Sequence, residues 1–429
     1  MQSPTRSLTA LTFASFLLTC ITSPSRAEDV KAWNGPACNI QHGTLQIEGR
    51  AVVHEDGTPF WWRGDTVWFL LKWKEQDIER YLENRRSKGF TVIQMVGSYG
   101  FKKMARVTKL ALEKGIYMGW LPTWGNRGRE WSEKEYADYC KRLAGTLKEF
   151  PNVIFILGGD VQVNDKSRKV WRAGAGGLRA GGYKGIIAFH PIGPSSTVDW
   201  FDEKETWLSI AMLQSGHALK PNTKIVERTL KATKRPVIDG EPRYETIFVG
   251  LGKGPDRIKP HDVRNAAYWS VFSGSFGHTY GHNDCWQPGG KDWGGSGDFW
   301  KALDAEGAFD MLHLRRLMQS RSAKTWIPDQ SLVPKSSADG DHPIVAIRAK
   351  NNQSALIYFP TGGATQVDLS KFKGPLKAKW FDPRTGNSTP TNDAPAQTTS
   401  TIQAPTTGEN NDWVLIVESV PASDLKLDK

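Results

Sequence analysis

Cysteine is scarce in this chain, with four in 429 residues, and the first of them, Cys20, lies in a segment that reads as a leader. The other three, Cys38, Cys140 and Cys285, permit at most one disulfide, and their spacing matches no zinc pattern. They read as core fillers. Long apolar runs are also missing: beyond residue 27 nothing approaches the roughly 20 apolar residues that a membrane span needs, so none is expected. Runs of one charge are absent as well. The 56 Lys and Arg outnumber the 45 Asp and Glu for a formal charge of +11, but the two signs are interspersed, which points to solubility. With no binding motif in view, nucleic acid is not an expected partner. Neither a phosphate-binding glycine loop nor an HExxH-type helix can be found, so no cofactor and no metal are expected.

What is present begins with the compartment. Arg6 precedes an uncharged stretch, residues 8–21, and the small-residue site Ser25-Arg26-Ala27. This reads as a secretory signal peptide cleaved near Ala27, giving a secreted or periplasmic protein. Thr19 before Cys20 argues against a lipoprotein anchor. Loss of Arg6 and Arg26 with the leader lowers the formal charge from +11 to +9.

Residues 44–60, "TLQIEGRAVVHEDGTPF", read as a hairpin with turns at Gly49-Arg50 and Asp56-Gly57. Short apolar strands then alternate with helical stretches. The strand candidates span 60–66, 91–97, 116–124, 153–160, 185–191, 211–217, 236–242 and 277–283. Among the helices, 74–89 carries Ile78, Tyr81 and Leu82 at helical spacing, and 132–150 opens with Ser132 and Glu135 at capping-box spacing. Eight such units over about 260 residues predict a (β/α)8 TIM barrel, an α/β fold. Past residue 322 strand-like pieces follow one another without helices and predict a small C-terminal β-sandwich. The Thr-, Asn- and Pro-rich tract 387–412 reads as a mobile loop within it. The expected division is therefore leader 1–27, barrel 28–322 and sandwich 323–429.

A (β/α)8 barrel gathers at one face whatever follows the apolar core of each strand. Asp160 follows "VIFILGG" and Glu241 follows "VIDG", so two carboxylates from the fourth and seventh strands should meet across one opening. That pairing is what glycoside hydrolysis needs: one acid to protonate the leaving oxygen, another to attack the anomeric carbon or activate water. Taken alone, Asp160 could equally be a helix cap and Glu241 a turn acid. Other strand ends supply candidate sugar-binding groups: Asp65 and Trp68, Gln94, Trp124, His190, Gln214 and His217, then Tyr280, His282, Asn283 and Trp286. Asp65 also suits a structural role, and the three histidines are too dispersed to suggest zinc. Among 18 tryptophans, those near strand ends could stack on sugar faces.

With these motifs in hand, the chain resembles the apiosidase-like glycoside hydrolases, glycoside hydrolase family 140 and its relatives. The resemblance runs through "DGTPFWWRGDTVWFL", "YLENRRSKGFTVIQ", "GIYMGWLPTWG", "VIFILGGD", "FHPIGPSSTVDWF", "MLQSGH", "PVIDGEPRYE" and "GHTYGHNDCWQ", in that order. The tail, with "WFDPRTG" and "DWVLIVE", is similar to the collagen-binding-type β-sandwich appended to such barrels. The resemblance implies Asp160 as general acid/base and Glu241 as nucleophile, retention of configuration, and release of a side-chain sugar such as apiose from plant cell-wall pectin, a poly- or oligosaccharide substrate. Relatives usually carry a long insertion after the second strand, whereas here "VIQMVGSYGFKKMARV" passes almost directly into a helix. The pocket should be correspondingly open, leaving another furanose, a pentose or a larger substrate as alternatives. The rival function is a non-catalytic carbohydrate-binding or surface-adhesion protein on a degenerate barrel.

Overall fold

The computed structural model describes residues 35–98, 100–320, 326–336, 340–391 and 395–420. The leader and the expected 322/323 junction lie outside them. A hairpin of β1 (Leu45–Glu48) and β2 (Ala51–His54) precedes the barrel. The barrel strands are β3 (Trp62–Thr66), β4 (Val92–Val96), β5 (Tyr117–Leu121), β6 (Val153–Gly158), β7 (Ile187–His190), β9 (Ala211–Gln214), β10 (Val237–Asp239) and β11 (Gly277–Tyr280). A two-residue spur, β8 (Ser195–Ser196), pairs antiparallel with β9. Each barrel strand matches one sequence candidate. All but the first candidate overshoot at their C-terminal ends, because those residues turn out of the ladder to form the rim.

Seven parallel ladders join these strands in chain order from β3 to β7 and from β9 through β11 back to β3. No ladder joins β7 to β9. Closure there rests on Ser209 N–H donating to the Ile187 carbonyl at 2.8 Å and on Thr197, whose Oγ1 lies 2.8 Å from the Phe189 carbonyl and 2.7 Å from that of Met212. The connection that makes this seam has a 3₁₀ turn, Thr197–Asp199, where a helix would otherwise cross over.

The barrel strands are buried at every position because both faces are covered. Their pleat sorts side chains into two layers. Trp62, Val92, Tyr117, Ile154, Ala188, Met212 and Ile238 point into the barrel, while Ile93, Met118, Phe155, Ile187 and Phe189 point out to the helices. Those helices are α1 (Glu75–Ser87), α2 (Phe101–Glu113), α3 (Gly125–Glu130), α4 (Glu133–Leu147), α5 (Asp165–Ala180), α6 (Thr223–Ala232), α7 (Pro260–Phe272), α8 (Asn283–Trp286), α9 (Phe299–Ala302) and α10 (Glu306–Gln319). The predicted capping box closes α4, with Ser132 accepting from Glu135 N–H and the Glu135 carboxylate accepting from Ser132 N–H. Cys38, Cys140 and Cys285 are all free and buried.

The C-terminal part has a six-stranded antiparallel sheet of β12 (Trp326–Pro328), β13 (Val345–Ala349), β14 (Ser354–Phe359), β16 (Leu376–Phe381), β17 (Ser388–Pro390) and β19 (Trp413–Ser419), with a two-stranded sheet of β15 (Gly362–Asp368) and β18 (Thr399–Thr407). Here one expectation is corrected. The tract 387–412 supplies β17 and β18 rather than a loop, because β-branched threonines suit an extended, half-exposed strand. Only Ala404 of β18 is buried, so the apolar alternation that reveals a strand is missing.

Candidate active site

The chain leaves β6 through three consecutive residues with left-handed backbone: Gly158 (φ 87°), Gly159 (φ 113°) and Asp160 (φ 49°). The first glycine is obligatory on two counts, since a Cβ there would also lie 2.4 Å from the His190 carbonyl oxygen. The turn throws Asp160 over the barrel mouth. Its own positive φ is uncommon for a residue with a side chain, and such outliers gather at functional sites. The Asp160 carboxyl is open to the cleft, but protein crowds it on its other sides. That crowding and the negative charge of Glu241 raise its pKa to about 6, against the pull of His190 and Gln214. Water on the open side tempers this shift without reversing it.

Glu241 follows β10 and is buried. Burial alone would raise its pKa, but the contact with and charge of His190, followed by His217 and the Tyr244 hydroxyl, hold it below the usual glutamate range. His190 Nε2 lies 2.8 Å from Glu241 Oε2, off the line of a good hydrogen bond, so the attraction is mainly between charges. The other ring nitrogen of His190, Nδ1, is 3.0 Å from the Pro191 carbonyl, which can only accept. Nδ1 therefore carries a proton, and Nε2 must carry one too if it is to face a carboxylate. The raised pKa of His190, which the two carboxylates bring about against its burial, agrees with an imidazolium. His217 Nε2 is farther from Glu241, at 3.8 Å, and burial favours its neutral form.

One oxygen each of Asp160 and Glu241 and one nitrogen of His190 lie within 4.8 Å of one another. These are also the donors that a divalent cation would need. A cation there would have to displace the proton on His190 Nε2, so any such binding would weaken as pH falls. Around the carboxylates, Gln94 Oε1, Gln214 Oε1 and His217 Nδ1 are buried with no hydrogen-bond partner among the described residues. Buried polar atoms usually have partners, and three such atoms near two carboxylates suit a ligand rich in hydroxyls.

The structure brings Asp160, Glu241, His190, Gln214 and His217 together and lines one side with aromatic rings. Trp68 is 1 % exposed and presents its edge to His190, ring centres 5.5 Å apart, so it supports the histidine rather than offering a face to sugar. Trp124 and Trp286 are partly open. Gln94 points inward but spends its amide on Thr66 and the Gly240 carbonyl, directly beneath Glu241. Four candidates are corrected. Asp65 sits on the outward phase of β3, fully buried against Tyr81 (2.5 Å) and Arg85 (2.7 Å) of α1. Tyr280 is likewise outward on β11, its hydroxyl donating to Glu245 at 2.6 Å. His282 accepts from Asp284 N–H as the cap of α8. Asn283 donates to the carbonyls of Asp292 and Trp293 and accepts from Trp286 Nε1, so it shapes the rim without reaching the pocket. Tyr244 escaped the sequence reading. It lies three residues beyond Glu241 in "GEPRYE", past a proline where strand alternation gives no guide.

The apiosidase-like catalytic domain model matches residues 46–99 and 97–325. The chain belongs to the apiosidase-like glycoside hydrolases. The two matched segments of the apiosidase-like model meet at the short β4–α2 connection, where the resemblance places an insertion in relatives. Residues 327–418 match a second model, "Putative collagen-binding domain of a collagenase". Among solved structures, a protein described as a glycoside hydrolase superposes with TM-score 0.84 at 30 % identity, covering 89 % of this chain and 98 % of its own. A glycoside hydrolase family 5 protein from Bacteroides vulgatus ATCC 8482 gives 0.83 at 31 % identity over 90 % and 96 %. A search of curated proteins gave no match. This apiosidase-like chain is thus a glycoside hydrolase on a TIM barrel.

Proposed function

We propose that the protein is an exported, retaining glycosidase that removes a furanose or pentose side-chain sugar, such as apiose, from pectic glycans of the plant cell wall. Glu241 Oε attacks the anomeric carbon as the glycosidic C–O bond breaks, and the leaving oxygen takes the Asp160 proton. Asp160 then deprotonates water, whose oxygen displaces Glu241 from the same carbon and frees the sugar. The observation that carries this reading is a pair of carboxyl groups whose pKa values are driven apart, Asp160 up to about 6 and Glu241 down, with oxygens within 4.8 Å. That closeness favours retention, for which carboxyl groups stand roughly 5–5.5 Å apart, over inversion at about 6.5–9.5 Å. Export rests on the leader ending near Ala27, and the pectic sugar on the family resemblance.

The test is to incubate the purified protein with pectic oligosaccharide fractions, identify the released monosaccharide and follow its first-formed anomer by NMR. Release of a pentose or furanose with retained configuration is expected. An inverted first product would remove the double-displacement step, and a hexose would remove the sugar assignment.

A further inference from the structure

The loop after α8 contains a second residue in an unfavourable conformation. Trp293 has φ 46° and ψ 39°, left-handed backbone that a bulky residue rarely adopts, and its side chain remains 43 % exposed. The surrounding protein enforces this. Asn283 and Gln287 both donate to the Asp292 carbonyl, Asn283 also donates to that of Trp293, Gln287 Oε1 accepts from Asp292 N–H, and Arg257 donates to the Gly294 carbonyl. A fold gains nothing in core packing from presenting an indole to water on a strained turn.

The position of that indole gives it a use. Rings form a continuous track from the carboxylates outward: His190 against Glu241, then Trp124 (6.4 Å between ring centres), Phe69 (6.2 Å), Trp286 (6.1 Å) and Trp293 (5.6 Å). Exposure rises along it, from fully buried His190 through partly exposed Trp124, Phe69 and Trp286 to Trp293. The Trp286 indole is itself oriented, donating to Asn283 Oδ1 at 2.9 Å, so one asparagine holds both the Trp286 ring and the backbone that carries Trp293. Flat indole faces accept the C–H faces of sugar rings, and held rings lose little entropy on binding.

Resting on the glycosidase reading above, we infer that Trp286 and Trp293 form a distal subsite that stacks a sugar ring beyond the one cleaved, so that the substrate is an oligosaccharide or polymer rather than a simple glycoside.

The experiment uses Glu241→Gln protein as a non-hydrolysing binder, with Trp293→Ala and Trp293→Phe added to it. Binding to a panel of pectic, arabinan, xylan and mannan oligosaccharides is read by calorimetry, alongside sugar release from the same panel by the otherwise native enzyme. Trp293→Ala should weaken the best-bound member about tenfold or more, and Trp293→Phe by far less. Equal binding with and without the indole, or no binding to any member, overturns the subsite. The two readings separate cleanly. Release without Trp293-dependent binding leaves the glycosidase standing and removes the subsite, whereas Trp293-dependent binding without release supports the subsite and removes the glycosidase.

Discussion

At the scale of single residues, the proposed mechanism turns on three groups whose charges are coupled, Asp160, Glu241 and His190. Asp160 must be protonated to act as an acid, so kcat/KM should fall as pH rises through about 6. Glu241 must be ionised, so the acid limb should lie below the ordinary glutamate range. The bell is therefore displaced to mildly acidic pH. His190 sets the lower limb. Replacing it with Gln removes the largest influence holding Glu241 down and leaves burial to push it up against His217 and Tyr244. In His190→Gln the acid limb should move to higher pH and the bell should narrow, measured as kcat/KM against pH. An unmoved limb would show that His190 is neutral. Asp160→Asn should lower kcat by about 10²–10⁴-fold while the fold persists. Both carboxylates were legible in the sequence because each directly follows an apolar strand that ends in glycine. Tyr244 was not, since contact with Glu241 across a proline-containing loop leaves no periodic trace.

At the scale of elements, strand ends aim these groups, and a strand has only two directions in which to aim. The positions of all eight barrel strands could be read from apolar runs, yet which residues face the pocket depends on pleat phase. Counting from inward Trp62 places Gly64 and Thr66 inside and Asp65 outside, and the same parity sends Tyr280 outward. Buried parallel strands are apolar on both sides, so composition does not mark the phase. Polar strand-end residues therefore looked equivalent, although Asp65 and Tyr280 point away from the pocket. The β6 exit offers a sharper test of aim. Gly158→Ala would place a Cβ 2.4 Å from the His190 carbonyl at φ 87°, costing at least about 1–2 kcal/mol and displacing both Asp160 and His190. Gly176→Ala, within α5 and with nothing within 4 Å of the added Cβ, should instead stabilise by about 0.5–1 kcal/mol. Urea titration and kcat of the two variants check both signs. Comparable activity losses in the two would show that the β6 turn does not aim the acid.

At the scale of the whole molecule, the sandwich is built into the barrel rather than tethered to it. One continuous core joins Tyr268, Val271 and Phe272 of α7 to Val345, Leu356, Tyr358 and Val414, and the Tyr268 and Tyr358 rings stack with centres 4.6 Å apart. Through this core passes Arg264, wholly buried, which donates to Asp310 of α10 at 2.7 Å and to both oxygens of Asp412 at 2.9 and 2.7 Å. The face of the β14–β19 sheet turned to α7 is therefore occupied by the barrel. Any ligand of the sandwich must use another surface. A buried ion pair adds little over a well-packed apolar contact, but removing one partner strands the other charges. Arg264→Ala leaves two carboxyl groups facing each other without a cation. It should destabilise the protein by about 3–5 kcal/mol, and barrel and sandwich should unfold in one transition followed by tryptophan fluorescence in urea. Two separated transitions, with the barrel midpoint unchanged, would instead mean that the halves are independent. The seam makes that outcome difficult to reach, because α7 packs on β11, the neighbour of the strand that carries Glu241, as well as on the sandwich. Support for Glu241, the proposed nucleophile, thus extends through α7 into the second domain.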